Sequence, residues 1–482
     1  MRWIIVVAAI APSISASAEP DTAKPTSLVD VLAVAVRAAP ELQLASIDLA
    51  AARATWRRTL GIEDITLTAQ GGYARNQYLS GSDTDYDNVS SGTLDLGRAL
   101  PTGGSLHLTF GGTKTSTNIL GYVPGTLTSV QVALTQPLLR GFGTWAARAP
   151  RYEAEHRMDA ARADREARAR ALVEQIVAAY WQVALARAGL EVRKNSLALA
   201  EQQRTYTDNS IKIGKIPKSE LLAVEENIAV RKQDVIAAEL EITQASLELR
   251  RIAGLEIGAD ALDIATVALP APDRDEIDLR SAVAAALEHS AALASAQDIE
   301  RADQARLSGA RSQLLPQLDL SVSGGPQGFG GGLSSSLTSL RDGDGYLVGV
   351  TVTSSYAFGR NDAHGQVDQS HAELLRAMVD TRTLKATIAA DTARAVQQAR
   401  AAREAVELGA QAIELASENV EAEQHRFEDR KSTNFDIILR QNELESAKLR
   451  HVAAIVDYLT ARAELDALTG AILPKYGIKL DD

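Results

Sequence analysis

The residues able to do covalent or metal chemistry come first, and they are sparse. The chain of 482 residues has no cysteine, which excludes disulfides, thiolate nucleophiles and a lipid anchor on an N-terminal cysteine. Its seven histidines are scattered, and His364 and His371 stand two helical turns apart without a carboxylate set at metal-ligand spacing. No H-E-x-x-H, G-x-S-x-G or G-x-x-x-x-G-K-S/T pattern occurs, and Gly112-Thr113-Lys114-Thr115 is only a fragment of the last. The run from Gly328 to Gly332 reads as a flexible loop, and the Arg and Glu clusters from Arg148 to Arg170 read as a solvated helix face with i,i+4 pairs. With 50 Lys and Arg against 62 Asp and Glu the net charge is -12, which excludes a surface built to neutralise nucleic acid. No catalytic constellation and no cofactor site is expected, so energy for any work must come from a partner.

The remaining informative residues are placed by repetition. Leu28 and Leu279 begin a match at an offset of 251 that continues through Leu42 and Leu293 to Ala54 and Ala305, each copy opening with an alanine-rich amphipathic helix. Further on, Ile211 to Leu222 matches Phe427 to Ile438 at an offset of 216. That match pairs Gly214 with Arg430, Lys215 with Lys431 and Glu220 with Asp436. The smaller offset places an insertion of about one β-hairpin in the first half.

The elements that must carry these positions follow from periodicity. Residues 1–18 have a basic start, an apolar run and Ala16-Ser17-Ala18, the form of a cleavable secretory signal. No other stretch is apolar enough to span a membrane as a helix. Thr144 to Asp208 and Asp362 to Asp429 are near-continuous helical patterns of about 65 residues, roughly 100 Å at 1.5 Å per residue. Ser27 to Leu60, Lys218 to Gly254, Asp278 to Ser312 and Thr433 to Gly470 are helices of about half that length. Two of the shorter helices stacked end to end match one long one, which predicts a rod of antiparallel helices with tight turns at about 208–219 and 429–435.

Strict alternation replaces this pattern at about 63–139 and 315–358. Six candidate strands centre on Leu67, Leu94, Leu108, Val132, Leu320 and Val350, against a minimal four, with Leu100 to Gly104 as the turn of the extra hairpin. Ser80 to Ser91 and Gly324 to Gly345 read as polar loops. One copy would leave two bare sheet edges, so closure by symmetric copies is expected. Three copies give 12 or 18 strands, both within the range of membrane barrels.

Leu314-Leu315-Pro316-Gln317-Leu318 entering a strand, Thr135-Gln136-Pro137-Leu138-Leu139-Arg140-Gly141-Phe142-Gly143 leaving one, and the two helix turns, with Tyr206 upstream of the first, carry a resemblance to the outer-membrane efflux protein family, the TolC-like channels. It covers Ser27 to about Leu473, twice over. The resemblance implies a mixed, mostly α fold: a trimeric duct of long antiparallel helices through the periplasm, capped by a transmembrane β-barrel of four or six strands per protomer. The organisation it gives is repeat 1 over 19–254, an equatorial linker at 255–277, repeat 2 over 278–470 and a tail at 471–482.

The function implied is a passive exit duct of a tripartite efflux or type I secretion system. Its partners would be outer-membrane lipid, a periplasmic adaptor (a membrane fusion protein) and an inner-membrane RND or ABC transporter. By the same resemblance Asp436 and Glu220 are the acids of the periplasmic gate, where six carboxylates near one axis would favour opening or a bound cation. A second acid of the family falls at Leu439, which leaves a single ring. Gly214, Lys215, Ile216 and Pro217, with Arg430, Lys431 and Ser432, are expected to meet the adaptor or pump. Arg430 is not expected to share the left-handed backbone of Gly214 without strain. Phe142, Trp145, Tyr356 and Phe358 are expected as anchors at the barrel's headgroup level.

Two other readings fit parts of the sequence. A periplasmic coiled-coil scaffold or adaptor would explain the helices and export signal, but not the strand blocks between helices. A secreted hydrolase has no nucleophile or acid–base set to support it.

Overall fold

A computed structural model of the chain describes residues 27–80, 83–119, 122–255, 266–273 and 276–480. The expected signal segment lies outside these residues, as does much of the expected linker, whose described parts have no regular structure. The chain divides into two compact units. One comprises residues 27–40, 169–285 and 391–480 of the described chain, and the other comprises 41–168 and 286–390.

In chain order the helices are α1 (Leu28–Ala38), α2 (Pro40–Leu60), α3 (Thr144–Ala147), α4 (Ala149–Lys212), α5 (Ser219–Ala253), α6 (Leu279–His289), α7 (Ala291–Gln313), α8 (Leu333–Asp342), α9 (Asn361–Glu428), α10 (Asn434–Leu468) and α11 (Ile472–Lys475). The strands are β1 (Thr66–Ser80), β2 (Asp83–Ala99), β3 (Ser105–Thr117), β4 (Gly125–Pro137), β5 (Gln317–Gly330) and β6 (Gly345–Ser355). Both opening helices differ from expectation in being broken. Pro40 cannot continue the ladder of α1 and instead starts α2, while Ser290 caps α7 by accepting from the Leu293 N–H at 3.2 Å. The two long helices run 64 and 68 residues. Among the described residues no helix is long and apolar enough to cross a membrane.

The first unit is held by small buried clusters of alanine and branched aliphatic side chains between its helices. Ala200, Val224 and Ile228 form one buried cluster between α4 and α5, and Leu190, Ala238 and Ile242 form another. Ala282, Ala395, Val396 and Leu465 join α6, α9 and α10. Arg231 of α5 and Glu445 of α10 make an ion pair, each less than a tenth exposed. Asn442 accepts a further hydrogen bond from Arg231. Tyr180, fully buried, accepts from the Val267 N–H at 3.0 Å, pinning part of the linker to α4.

In the second unit the six strands form one antiparallel meander in the order β1-β2-β3-β4-β5-β6, so β4 and β5 are neighbours although the helices from α3 to α7 lie between them in sequence. The turn at Leu100 to Gly104 joins β2 to β3, with the Gly103 N–H bonded to the Leu100 carbonyl at 2.9 Å. Two expected loops are not loops. β2 begins at Asp83, and the 324–345 stretch contains the end of β5 and all of α8. Gly328 is not a flexible hinge: a Cβ there would sit 2.2 Å from the Leu340 nitrogen of α8, so glycine is what lets the helix seat on the strand.

The register sorts side chains into two kinds of face. On one, Leu106, Leu134, Val322 and Val350 are successive partners, as are Leu67, Leu96, Leu108 and Val132, and Ala69, Leu94, Phe110 and Val130. Next along the strands comes a nearly bare row, Gly71, Gly92, Gly112, Thr128 and Gly328, and beyond it Tyr73, Ser90, Lys114 and Thr126. The opposite face carries Thr68, Asp95, Thr109 and Gln131 in register, and Thr135, Ser321 and Thr351. The apolar rows are not covered: Leu67 is 68% and Val132 49% exposed.

Charges knit the helices of this unit. Arg148 grips Glu63 through two bonds of 2.6 and 2.8 Å. Arg306 of α7 bonds Glu153 of α4 at 2.8 Å and also pairs with Glu373 of α9. The basic cluster at the start of α4 is therefore more than a solvated face, since Arg148 and Arg157 also bridge to other elements.

Candidate functional site

The two helix turns of the first unit are built alike. At the end of α4 the Gly214 N–H bonds the Ile211 carbonyl at 2.9 Å and the Lys215 N–H bonds the Ser210 carbonyl at 2.8 Å. At the end of α9 the Arg430 N–H bonds Phe427 at 3.0 Å and the Lys431 N–H bonds Arg426 at 2.8 Å. Both are Schellman closures, which need a left-handed residue. Gly214 has φ 71° and Arg430 φ 62°. The arginine shares the glycine backbone and bears the steric cost that a left-handed conformation puts on a side chain. Arg430→Gly is predicted to stabilise this turn by about 0.5–1 kcal/mol, read as a higher thermal midpoint of the purified protein; a lower midpoint would contradict the strain.

The following helix starts with a capping box. Thr433 accepts from the Asp436 N–H at 3.4 Å, while Asp436 Oδ2 accepts from the Thr433 hydroxyl at 2.7 Å, the Thr433 N–H at 3.0 Å and Ser432 at 3.3 Å. The Thr433 hydroxyl and amide, with Ser432 and Arg426 assisting, hold the Asp436 carboxyl below the usual aspartate range. A depressed carboxyl stabilises the fold above its unfolded value near 3.8, and that contribution is lost as pH falls through the lower folded value.

Glu220, the matching acid of the other turn, is used differently. Its Oε2 accepts from the main-chain N–H of Asn434 at 3.2 Å and from Asn434 Nδ2 at 3.1 Å. Asn434 is fully buried, and its Oδ1 accepts from Gln203 Nε2 at 2.8 Å and Thr207 Oγ1 at 3.1 Å. One asparagine thus joins α4, α5 and the start of α10. Sequence reading missed Asn434, Gln203 and Thr207. The available signal was the i,i+4 spacing of Gln203 and Thr207, which puts two polar groups on one helix face.

The other expected contact residues lie at the turns. Lys215, Pro217, Arg430 and Lys431 face solvent, Ile216 and Ser432 are half-buried, and Lys431 pairs with Asp429 at 3.0 Å. Tyr206 meets Phe427 with ring centroids 5.9 Å apart, tying α4 to α9 just before the turns.

Phe142 and Trp145 follow β4, and Tyr356 and Phe358 follow β6. All four are exposed, Phe358 by 94%. Tyr356 meets Phe358 edge to face at 5.4 Å, and the Arg360 guanidinium lies 5.2 Å from the Tyr356 ring centre. Among the described residues no group of three or more His, Asp or Glu could hold a metal.

A family model described as outer membrane efflux protein matches residues 32–255 and again 282–471. No curated protein matches the sequence. Among solved structures, the outer-membrane channel OprN is similar with a TM-score of 0.68 at 16% identity, over 92% of this chain and 90% of that one. The Campylobacter jejuni CmeC outer-membrane channel gives 0.66 at 14%, over 95% and 90%. The Vibrio cholerae outer-membrane protein VceC gives 0.65 at 15%, over 92% and 96%.

Proposed function

From the premise that the chain belongs to the outer membrane efflux protein family, we propose that three copies close their sheets into one 18-stranded barrel and that the paired helix turns form the periplasmic gate. The family's members are passive transport ducts of the outer membrane, not enzymes, and this chain is an outer-membrane efflux channel. Such channels generally work with an adaptor and an inner-membrane transporter.

The observation that carries the barrel is the sheet itself. A six-stranded meander with bare edges at β1 and β6 and exposed apolar rows on one face has the alternation of a membrane barrel wall. A water-soluble scaffold would have to leave those leucines and valines in water. The polar face carries Asp85, Asp87, Asp95 and Asp319 and no lysine or arginine, whereas Arg75, Arg98 and Lys114 all stand on the other face. A lumen so lined favours cations.

The test is reconstitution of the detergent-purified protein into planar bilayers. A heat-labile trimer with small, long-lived, cation-preferring openings is expected. A protein that stays soluble without detergent and passes no current would overturn the reading.

At the gate, Asp436 and Glu220 supply negative charge near the axis, and Asp436→Ala is predicted to weaken block by di- and trivalent cations in single-channel records. Unchanged block would leave the residue a helix cap only. Lys215, Ile216, Pro217, Arg430, Lys431 and Ser432, with the turn glycine Gly214, form the contact for a periplasmic adaptor or an RND or ABC pump. Charge reversal at Lys215 and Lys431 to Glu should reduce adaptor cross-linking while the trimer persists; loss of the trimer as well would make these residues structural. Phe142, Trp145, Tyr356 and Phe358 serve as the interfacial girdle on the helix side of the barrel.

A further inference from the structure

The apolar face of the sheet carries a feature that pore formation does not require. Between α8 and strands β1 to β4 lies a groove of about 560 Å³. Gly71, Gly92 and Gly112 form its floor, and Leu333, Leu337 and Leu340 of α8 form its wall. A Cβ placed on Gly92 would meet nothing within 4 Å, so the groove is open there. The helix is fixed in place: Thr128 Oγ1 donates to the Ser336 carbonyl at 3.1 Å, and Gly328 gives α8 its close approach.

The groove sits where the apolar face ends. The row of Ala69, Leu94, Phe110 and Val130 lines its lower edge, leucines and valines follow below, and the row above it is Tyr73, Ser90, Lys114 and Thr126. Lys114 is two residues beyond Gly112 on the same face, about 7 Å along the strand, and is exposed. Arg75 lies four residues beyond Gly71 on that face, its guanidinium 5.7 Å from the Tyr86 ring centre. An apolar slot continuous with a membrane-facing surface and topped by cations matches one kind of molecule: an anionic phospholipid, its acyl chain in the slot and its phosphate at the cations.

We propose that this groove holds one acyl chain of an anionic phospholipid, one whose phosphate charge no headgroup cation offsets, with Lys114 at that phosphate, in the leaflet on the hairpin side of the barrel. The inference rests on the barrel reading, because only then does this face meet lipid. The lipid fills the gap between α8 and the strands, and α8 serves as a clamp on it.

The test uses the full chain, purified and stripped of lipid in detergent, then exposed to phosphatidylglycerol, to phosphatidylcholine of the same chains and to inorganic phosphate, with retained lipid counted by native mass spectrometry. Wild type should retain about one phosphatidylglycerol per protomer, with severalfold less phosphatidylcholine and no effect of inorganic phosphate. Gly92→Leu, which fills the groove, should abolish retention. Lys114→Gln should equalise the two lipids without abolishing chain binding. Equal retention by wild type and Gly92→Leu, or no retention by wild type, overturns the site, as does displacement by inorganic phosphate alone. Bilayer conductance of the same samples separates the two readings: channels without lipid retention sink only the groove, whereas no channels at all sink the barrel.

Discussion

Asn434→Ala should unlatch the helix turns. The side chain is fully buried and makes three of the contacts that hold the cluster: it donates to Glu220 and accepts from Gln203 and Thr207. Truncation leaves the Gln203 amide and the Thr207 hydroxyl, both buried, without their acceptor. It also leaves Glu220 with only the main-chain N–H of residue 434. Each orphaned buried group costs about 1–3 kcal/mol, so a local loss of about 3–5 kcal/mol is expected. The readout is twofold: a lower thermal midpoint, and a resting conductance several times that of wild type in planar bilayers. Asn434→Asp separates the roles, because it keeps the acceptor but sets a second carboxylate beside Glu220. It should open the channel further at neutral pH than at acid pH. Wild-type conductance and midpoint in Asn434→Ala would show that the cluster holds nothing shut.

The second large effect lies three turns further up the same helix pair. Arg231 and Glu445 are both nearly excluded from water, and desolvation pulls the Arg231 guanidinium below its usual range. Removing one partner strands the other: Arg231→Met should cost about 3–5 kcal/mol, whereas replacing both residues with apolar ones of similar volume should recover most of that loss. Thermal unfolding of the two single variants and the double variant measures it, with non-additivity as the sign of the pair. Additive losses would mean that each side chain acts through packing alone.

The parts of this fold that repeat a period are legible in the sequence. Alternation located all six strands because apolar residues in every second position have no helical alternative, and the long helices followed from the same logic at 3.6 residues. What escaped was set by contacts across the chain. The helix α8 is hidden in a Gly and Ser-rich stretch, yet Leu333, Leu337 and Leu340 keep the i, i+4, i+7 spacing that a helix needs. β2 extends from its apolar end through Asp83 to Ser91 because its partners pair there, not because its residues prefer a strand.

At the turns, Gly214 signalled a left-handed residue, but Arg430 could not, since only the closure around it demands that conformation. The two acids, equivalent by position, were expected to act alike. Asp436 turned inward to its own cap, while Glu220 reached a residue 214 positions away, and no local pattern distinguishes those outcomes.

The order of the meander also sets a timetable for folding. Four of its five strand pairings join segments that follow one another directly or across a single short helix, so they can zip within microseconds to milliseconds. The fifth, β4 with β5, joins Thr135 to Ser321 across 186 positions and must wait until the intervening helices have shortened that loop. Until then the chain exists as a four-stranded and a two-stranded piece with four bare edges. Strand pairing between chains before the β4 to β5 seam closes would trap them in the wrong partnership. Closing that seam is therefore the step at which slow folding and misassembly of this protein converge.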